Sequence, residues 1–394
     1  MRDPSLGPNT RAVHTDVPEA GRGQPLSVPI VQTSSFGFES VEAMEATISE
    51  PGTGYVYTRV QNPTIDAMER GVAELEGAEA AVGFASGMAA IHAALLAELS
   101  AGDHFIAPAS FYGGAYALFT RLLPRLGIEH SLVRDTTPEG FRDALRPNTK
   151  VVYTETIGNP LLAIPDLEGL SKLAHGRGAR VVVDSTLASP AVCRPLERGA
   201  DVVIHSASKY LGGHGDLIAG VVAGDSPTMS RVRSVAIDAG GTISPFIAWL
   251  VLRGMKTLPL RMAQHQATAL AVARYLAGHP QVVACHYPGL PTHPDHERAK
   301  VALHGGFGGV VAFEVEGGDE AGTRLANALS LFSRAGSLGD THSLVVQPAM
   351  ASHRVLSPKA RQEAGIGPGF IRLSIGLEDA EDLVADLERA FDAL

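Results

Sequence analysis

Three short stretches of this chain end in residues that could do chemistry. In "DVVIHSASKYLGGHGD", residues 201–216, a β-branched run leads into His205, Ser206, Ser208 and Lys209, and glycines follow. A lysine amine in largely apolar surroundings loses part of its proton affinity and becomes a nucleophile toward carbonyl carbon. In "ARVVVDS" the run ends at Asp184, a carboxylate that is costly to bury without a cationic or protonated partner. In "FASGMAAIHAALLAEL" the chain passes through Ser86 and Gly87 into a helical pattern. Ser86 suits the N-cap, and the Gly87 and Met88 amides at the positive helix end would face an anion such as phosphate. Taken singly, these are a surface lysine, a strand-end acid and a plain helix start. Taken together, a phosphate cradle, an acid and an amine fit pyridoxal 5′-phosphate (PLP). Lys209 would form the Schiff base, Asp184 would keep the ring nitrogen protonated, and Ser206 and Ser208 would add phosphate contacts.

Residues so far apart meet only if the elements bring them together. Apolar, β-branched runs at 80–84, 104–109, 150–155, 179–185, 200–206 and 217–224 alternate with segments of helical period. That alternation predicts an α/β fold with a mostly parallel sheet covered by helices on both faces. Most of the runs lead into polar residues or glycine: Ser86–Gly87, Phe111–Tyr112–Gly113, Glu155 to Asn159, Asp184–Ser185 and Ser206 to Lys209. Ligands in open parallel sheets bind beyond the carboxyl ends of the strands, so these clusters are expected to converge. Residues 1–60, rich in Pro, Gly, Ser and Thr, read as an irregular arm reaching a neighbouring subunit. Residues 61–250 then form the cofactor domain and 251–394 a smaller α+β domain, with strands in "GGVVAFEVEG" and "FIRLSIG" and a closing amphipathic helix.

The motifs "YVYTRVQNPT", "ASGMAAI", "YGG", "ETIGNP", "VVDST", "HSASKYLGGHGD", "SLGD" and "FIRLSIG" occur in an order and spacing similar to those of the Cys/Met-metabolism PLP enzymes. These are the cystathionine γ-synthase-like family, with methionine γ-lyase and cystathionine γ-lyase among its members. The resemblance covers essentially the whole chain. It implies a fold-type-I PLP enzyme, cytoplasmic and tetrameric as two dimers, acting on an amino acid by γ-elimination or, alternatively, γ-replacement. Lys209, Asp184 and Tyr112 match the catalytic positions, Tyr112 also stacking on the ring. Ser86, Gly87, Met88, Ser206 and Ser208 match the phosphate loop. Tyr57 and Arg59 match a pair that reaches the phosphate from the neighbouring subunit. Glu155 and Asn159 match positions near the ring, Arg372 the grip on the substrate carboxylate, and Ser337 and Ser352–His353 the substrate side.

Several positions depart from the family's patterns. Gly114 stands where methionine γ-lyases carry Cys, and Ala236 and Ile237 where they carry a Lys–Asp pair. Gly336 and His342 replace two acidic positions of cystathionine-handling enzymes, and Ile247 replaces the Asp of "SPFD". Asp340 of "SLGD" resembles methionine γ-lyases and homoserine sulfhydrylases more than the cystathionine enzymes, which inclines the reading toward a C–S γ-lyase over a γ-synthase. Gly336 would leave room beside the substrate, so a bulkier or less charged γ substituent is expected.

Composition narrows the alternatives. With 45% hydrophobic and 19% charged residues over 394 positions the chain can bury a large core, and its net charge of −10 argues against a nucleic-acid surface. No apolar run approaches the roughly 18 residues of a spanning helix. Cys193 and Cys285 lie far apart without a CxxC and read as reduced thiols. His286, His293 and His296 lack a fourth ligand at metal-site spacing, so no metal is expected.

Overall fold

The computed structural model describes residues 6–15, 23, 25–50, 52–304, 306–350 and 365–394. Seven strands form one sheet: β1 (Ala80–Phe84), β2 (His104–Pro108), β3 (Glu129–Val133), β4 (Thr149–Glu155), β5 (Arg180–Asp184), β6 (Val202–His205) and β7 (Gly220–Gly224). Their spatial order is β1-β7-β6-β5-β4-β2-β3. Neighbours from β3 through β6 pair in parallel, whereas β7 runs antiparallel to both β6 and β1. The expected mostly parallel sheet is therefore present with one reversed strand.

Both faces are covered, which is why the strands read as near-continuous apolar runs. One face packs Val82, Val182, Ile204 and Val222 against Ile91 of the helix Gly87–Leu96 and Val232 of the helix Ser226–Ala239. The other packs Val181, Val183 and Val221 against Val72 of the helix Pro63–Glu76 and Val251 of the helix Pro245–Met255. The helix Pro63–Glu76 shows why local sequence chooses its ends. The Asn62 side chain accepts from Thr64 N, Pro63 occupies the first turn, and Gly77 closes it at φ 71°.

The N-terminal segment is less irregular than its composition predicts. Pro8–His14 is helical and packs against the helices Pro63–Glu76 and Leu258–Gly278, and Val41–Ser49 forms a second, solvent-facing helix. Between them and the sheet, Ser35 bridges Tyr57, and Asn62 Nδ2 donates to Val31 O. Toward the C-terminus a second sheet contains β8 (Val282–His286), β9 (Val310–Val315), β10 (Ser333–Arg334), β11 (Leu344–Val346) and β12 (Phe370–Ser374). Its order is β10-β11-β12-β9-β8, antiparallel except at β10–β11. The helix Ala380–Asp392 buries Leu387 and Phe391 against Phe313 and Leu373 of that sheet.

Candidate active site

The carboxyl ends of β1, β4, β5 and β6 open into one cavity of about 410 Å³. It is lined by Ser86, Gly87, Met88, Tyr112, Glu155, Asn159, Asp184, Ser206, Ser208, Lys209, Gly336, Ser337 and Arg372. The size is ordinary for a small-molecule site. The wall that sequence reasoning missed consists of Ile91, Thr186, Leu187, Gly215, Leu217, Ile218 and Leu338. Leu217 and Ile218 line it because β7 is reversed, so its amino end faces the site. A continuous apolar run carries no mark of strand direction.

At one end of the cavity Ser86 caps the helix Gly87–Leu96, its Oγ accepting from Ala89 N at 3.1 Å. The Gly87 and Met88 amides precede the helical ladder and are available to an anion. Gly87 is there because of close approach: a Cβ would stand 2.8 Å from Ser206 Oγ. Ser206 N donates to Thr186 Oγ1 at 2.8 Å, tying β6 to the turn after β5. The Ser208 hydroxyl is used within the chain, donating to Ala219 O and accepting from Ala219 N. Its donor is therefore not free for phosphate in this rotamer.

Asp184 is buried, with Oδ1 accepting from Thr186 N at 3.0 Å and Tyr153 OH at 3.5 Å from Oδ2. Burial raises its pKa, and so does burial, followed by the Asp184 charge, for Glu155, which is pushed up to about 8. Glu155 fastens two loops at once: Oε1 accepts from Tyr112 N and Oε2 from Asn159 N, at 2.9 and 2.8 Å. Lys209 Nζ donates to Ser337 Oγ at 2.7 Å, and burial followed by the Arg372 charge lowers its pKa. Burial followed by Asp184 raises the Tyr112 phenol. Arg372 is 4% exposed, donates to Asn159 Oδ1 and Ser337 O, and keeps a buried Nε without a hydrogen-bond partner.

Some expected residues lie elsewhere. Tyr57 and Arg59 do not line this cavity; they border a separate, open one with Ser34 and Thr242, and Arg59 NH1 donates to Ile237 O at 2.7 Å. Gly114 lies behind Tyr112, where a Cβ would stand 2.5 Å from the Tyr112 ring. His342 is largely exposed, 3.7 Å from Asp340. Ser352 and His353 lie outside the described residues. Among the described residues no helix is long and apolar enough to cross a membrane.

This arrangement suits PLP on its own terms. An amide-lined helix end fits an anion, a buried carboxylate fits a cationic ring nitrogen, and a lysine of lowered proton affinity lines the same cavity. The profile of the Cys/Met metabolism PLP-dependent enzymes matches residues 9–392. The chain belongs to that family. Within it, an L-methionine γ-lyase of Porphyromonas gingivalis is 45% identical, over 98% of this chain and 97% of its own. An O-succinylhomoserine sulfhydrylase of Pseudomonas aeruginosa is 42% identical, over 98% of this chain and 94% of its own. A solved cystathionine γ-lyase of Lactobacillus plantarum, complexed with L-serine, superposes with a TM-score of 0.92 at 37% identity, covering 98% of this chain and 99% of its own. As a member of this family the protein is a PLP-dependent enzyme of fold type I.

Proposed function

We propose that the protein is a C–S γ-lyase that converts a methionine-, homocysteine- or cystathionine-like amino acid into a 2-oxo acid, ammonia and a thiol. The observation that carries the reading is the convergence of Lys209, Asp184 and the incompletely paired Arg372 in one cavity. Bound there, PLP supplies the electron sink that makes the substrate Cα–H acidic. The Gly87 and Met88 amides with Ser206 would hold its phosphate, and Asp184 would hold its ring nitrogen. Arg372 offers its spare donor to the substrate carboxylate, fixing the Cα–H toward Lys209. Lys209, whose pKa is lowered by burial and then by the Arg372 charge, would take the Cα proton. A Cβ proton must leave as well, its electron pair expelling the sulfur from Cγ, and water then releases ammonia to give the 2-oxo acid. Tyr112, whose phenol keeps its proton well past neutral pH, gives one to the departing sulfur.

Gly336 supports a roomy γ-side pocket, since a Cβ there meets nothing within 4 Å. Tyr57 and Arg59, outside the cavity of their own chain, would serve a neighbour's site in a cytoplasmic homotetramer. The two cysteines, both free thiols among the described residues, accord with a reducing compartment. The alternative is γ-replacement on an O-activated homoserine, favoured by the sulfhydrylase relatives at 42% and 37% identity. It uses the same residues, with a thiol adding at Cγ.

Incubation with methionine, homocysteine, cystathionine, O-acetylhomoserine and O-succinylhomoserine, with and without an added thiol, separates the two. Formation of 2-oxobutyrate from the thioethers supports the lyase, whereas a thioether product formed only from the O-acyl substrates supports replacement. Gly336→Val should fold normally and lower turnover of bulky γ substituents relative to methionine. An unchanged substrate profile would remove the roomy-pocket reading.

A further inference from the structure

The stretch "HYPGLPTHPDHER", residues 286–298, plays no part in the chemistry above, yet it touches the site through one loop. Asp295 stands at the N-cap of the helix His296–Ala302, where an aspartate ordinarily accepts from the first-turn amides. Its side chain makes no such bond. Oδ2 instead accepts from Ile164 N at 3.0 Å, and Oδ1 accepts from Arg298 NH1 at 2.9 Å. The same Arg298 NH1 donates to Ile164 O at 2.8 Å. Both backbone polar groups of Ile164 are therefore taken by a pair that lies 131 and 134 residues farther along the chain. The pair is spent on a distant backbone and not on its own helix.

Ile164 ends the loop that leaves β4 and carries Asn159. That loop is closed on itself by Gly158 N donating to Ala163 O at 2.9 Å and Leu162 N donating to Gly158 O at 2.7 Å. Leu162 within it sits at φ 59°, a left-handed conformation that a bulky side chain keeps only where its surroundings impose it. Near the start of the loop, Asn159 N donates to Glu155 Oε2 and Asn159 Oδ1 accepts from Arg372 NH1 at 2.9 Å. The orientation of the Arg372 guanidinium thus depends on where this loop lies, and a shift of about 1 Å at a positioning group is enough to spoil a productive geometry.

We propose that Asp295 and Arg298 are positioning residues: by holding both polar groups of Ile164 they set the loop whose Asn159 aims Arg372 at the substrate carboxylate. Neither residue lines the cavity, so they act only through the loop. The proposal rests on the role given above to Arg372. An aspartate followed three residues later by an arginine reads in sequence as a helix cap with a surface ion pair, which hides the pair's reach to Ile164.

The test is a binding titration of the holoenzyme, followed by the absorbance of its bound PLP. The probes are L-norleucine, which has the shape of methionine without a γ leaving group, and L-norleucinamide, which lacks the carboxylate. Wild type should bind norleucine about tenfold more tightly than the amide, or better. In Asp295→Ser the serine caps a helix as well as aspartate does but is too short to reach Ile164. Norleucine should bind this variant about tenfold more weakly, with norleucinamide within about twofold of wild type. Asp295→Asn keeps both the reach and an acceptor for Ile164 N, and should stay within about threefold of wild type for either probe. Arg298→Met, at a partly exposed position, removes the donor to Ile164 O and should show the same carboxylate-selective loss. It carries the test if Asp295→Ser does not fold. Unchanged norleucine affinity would reduce the pair to a helix cap and surface bridge, and an equal loss for both probes would make it a general prop; either overturns the proposal. A wild type that does not distinguish the probes overturns it together with the role of Arg372. Failure of the product assay, by contrast, counts against the lyase reading alone, since neither probe has a group to eliminate.

Discussion

Arg372 enters the cavity with NH1 committed to Asn159 and NH2 to the Ser337 carbonyl, and with Nε unpaired. Burial lowers its pKa to about 10, which still leaves it charged at neutral pH. A lysine has neither the planar fork nor the reach to hold Asn159, Ser337 and a carboxylate together. Arg372→Lys should therefore raise KM for the amino acid by about 10- to 100-fold, the scale of one lost charge-assisted hydrogen bond. Steady-state kinetics check this, and an unchanged KM would place the carboxylate elsewhere. Glu155 gives a pH prediction. Its folded-state pKa is raised from 4.5 to about 8, so the folded chain binds this proton more tightly than the unfolded chain does. The resulting stabilisation is complete below pH 4.5 and is lost as the pH rises through about 8. Urea midpoints of the apoprotein should fall across that window, and Glu155→Gln should flatten the decline; a slope that persists in the variant belongs to another group. Lys209, Asp184 and Ser86 were legible only in combination, since each alone reads as a surface lysine, a strand-end acid or an ordinary helix cap. Thr186 was not, because a threonine beside a strand end reads as an ordinary turn residue until its hydroxyl is seen accepting from Ser206 N.

At the scale of elements, the site depends on how closely the helix Gly87–Leu96 approaches the end of β6. A methyl group at residue 87 would stand 2.8 Å from both Ser206 Cβ and Ser206 Oγ, and 3.1 Å from Ser206 Cα. Either the helix start or β6 must give way, and overpacking of this kind costs about 1–3 kcal/mol. Gly87→Ala should keep the fold, shown by an unchanged far-ultraviolet circular dichroism spectrum, and weaken PLP binding by about tenfold or more in equilibrium dialysis. Undiminished affinity would mean that the amides at this helix end do not hold the phosphate. The apolar runs revealed these elements where both faces are buried, as in β4, β5 and β6. They are weakest at the sheet edges: β3, "EHSLV", is only partly buried and has no apolar run, and β8, "VVACH", is likewise only partly buried, with a four-residue run too short to set it apart. The reversal of β7 was hidden for a different reason. Direction is set by the connection through Gly213 and Gly215, whose positive φ values of 74° and 68° turn the chain back after Lys209. The run from 217 to 224 reads the same either way.

At the scale of the whole molecule, one chain carries Lys209 and Tyr57 in different cavities. Tyr57 is 43% exposed, and Arg59 lies 5.8 Å from its ring centroid. An exposed aromatic–guanidinium pair beside an open cavity is suited to meeting a phosphate-bearing site on a second copy. The sequence showed these residues as a motif but could not show which chain they serve, since that depends on a symmetry operator rather than on local pattern. If the active site is shared, a dimer combining one Lys209→Ala chain with one Arg59→Ala chain has one intact site and one doubly damaged site. Mixing the two inactive variants under subunit exchange produces such hybrids in about half of the dimers. Activity should then recover to about a quarter of wild type, since half of the dimers each regain one of two sites. Titrating one variant into the other at fixed total protein should trace a maximum near equal amounts. A mixture as inactive as its components, with exchange verified by differently tagged chains, would assign Arg59 to its own chain's site and remove the partner from the chemistry.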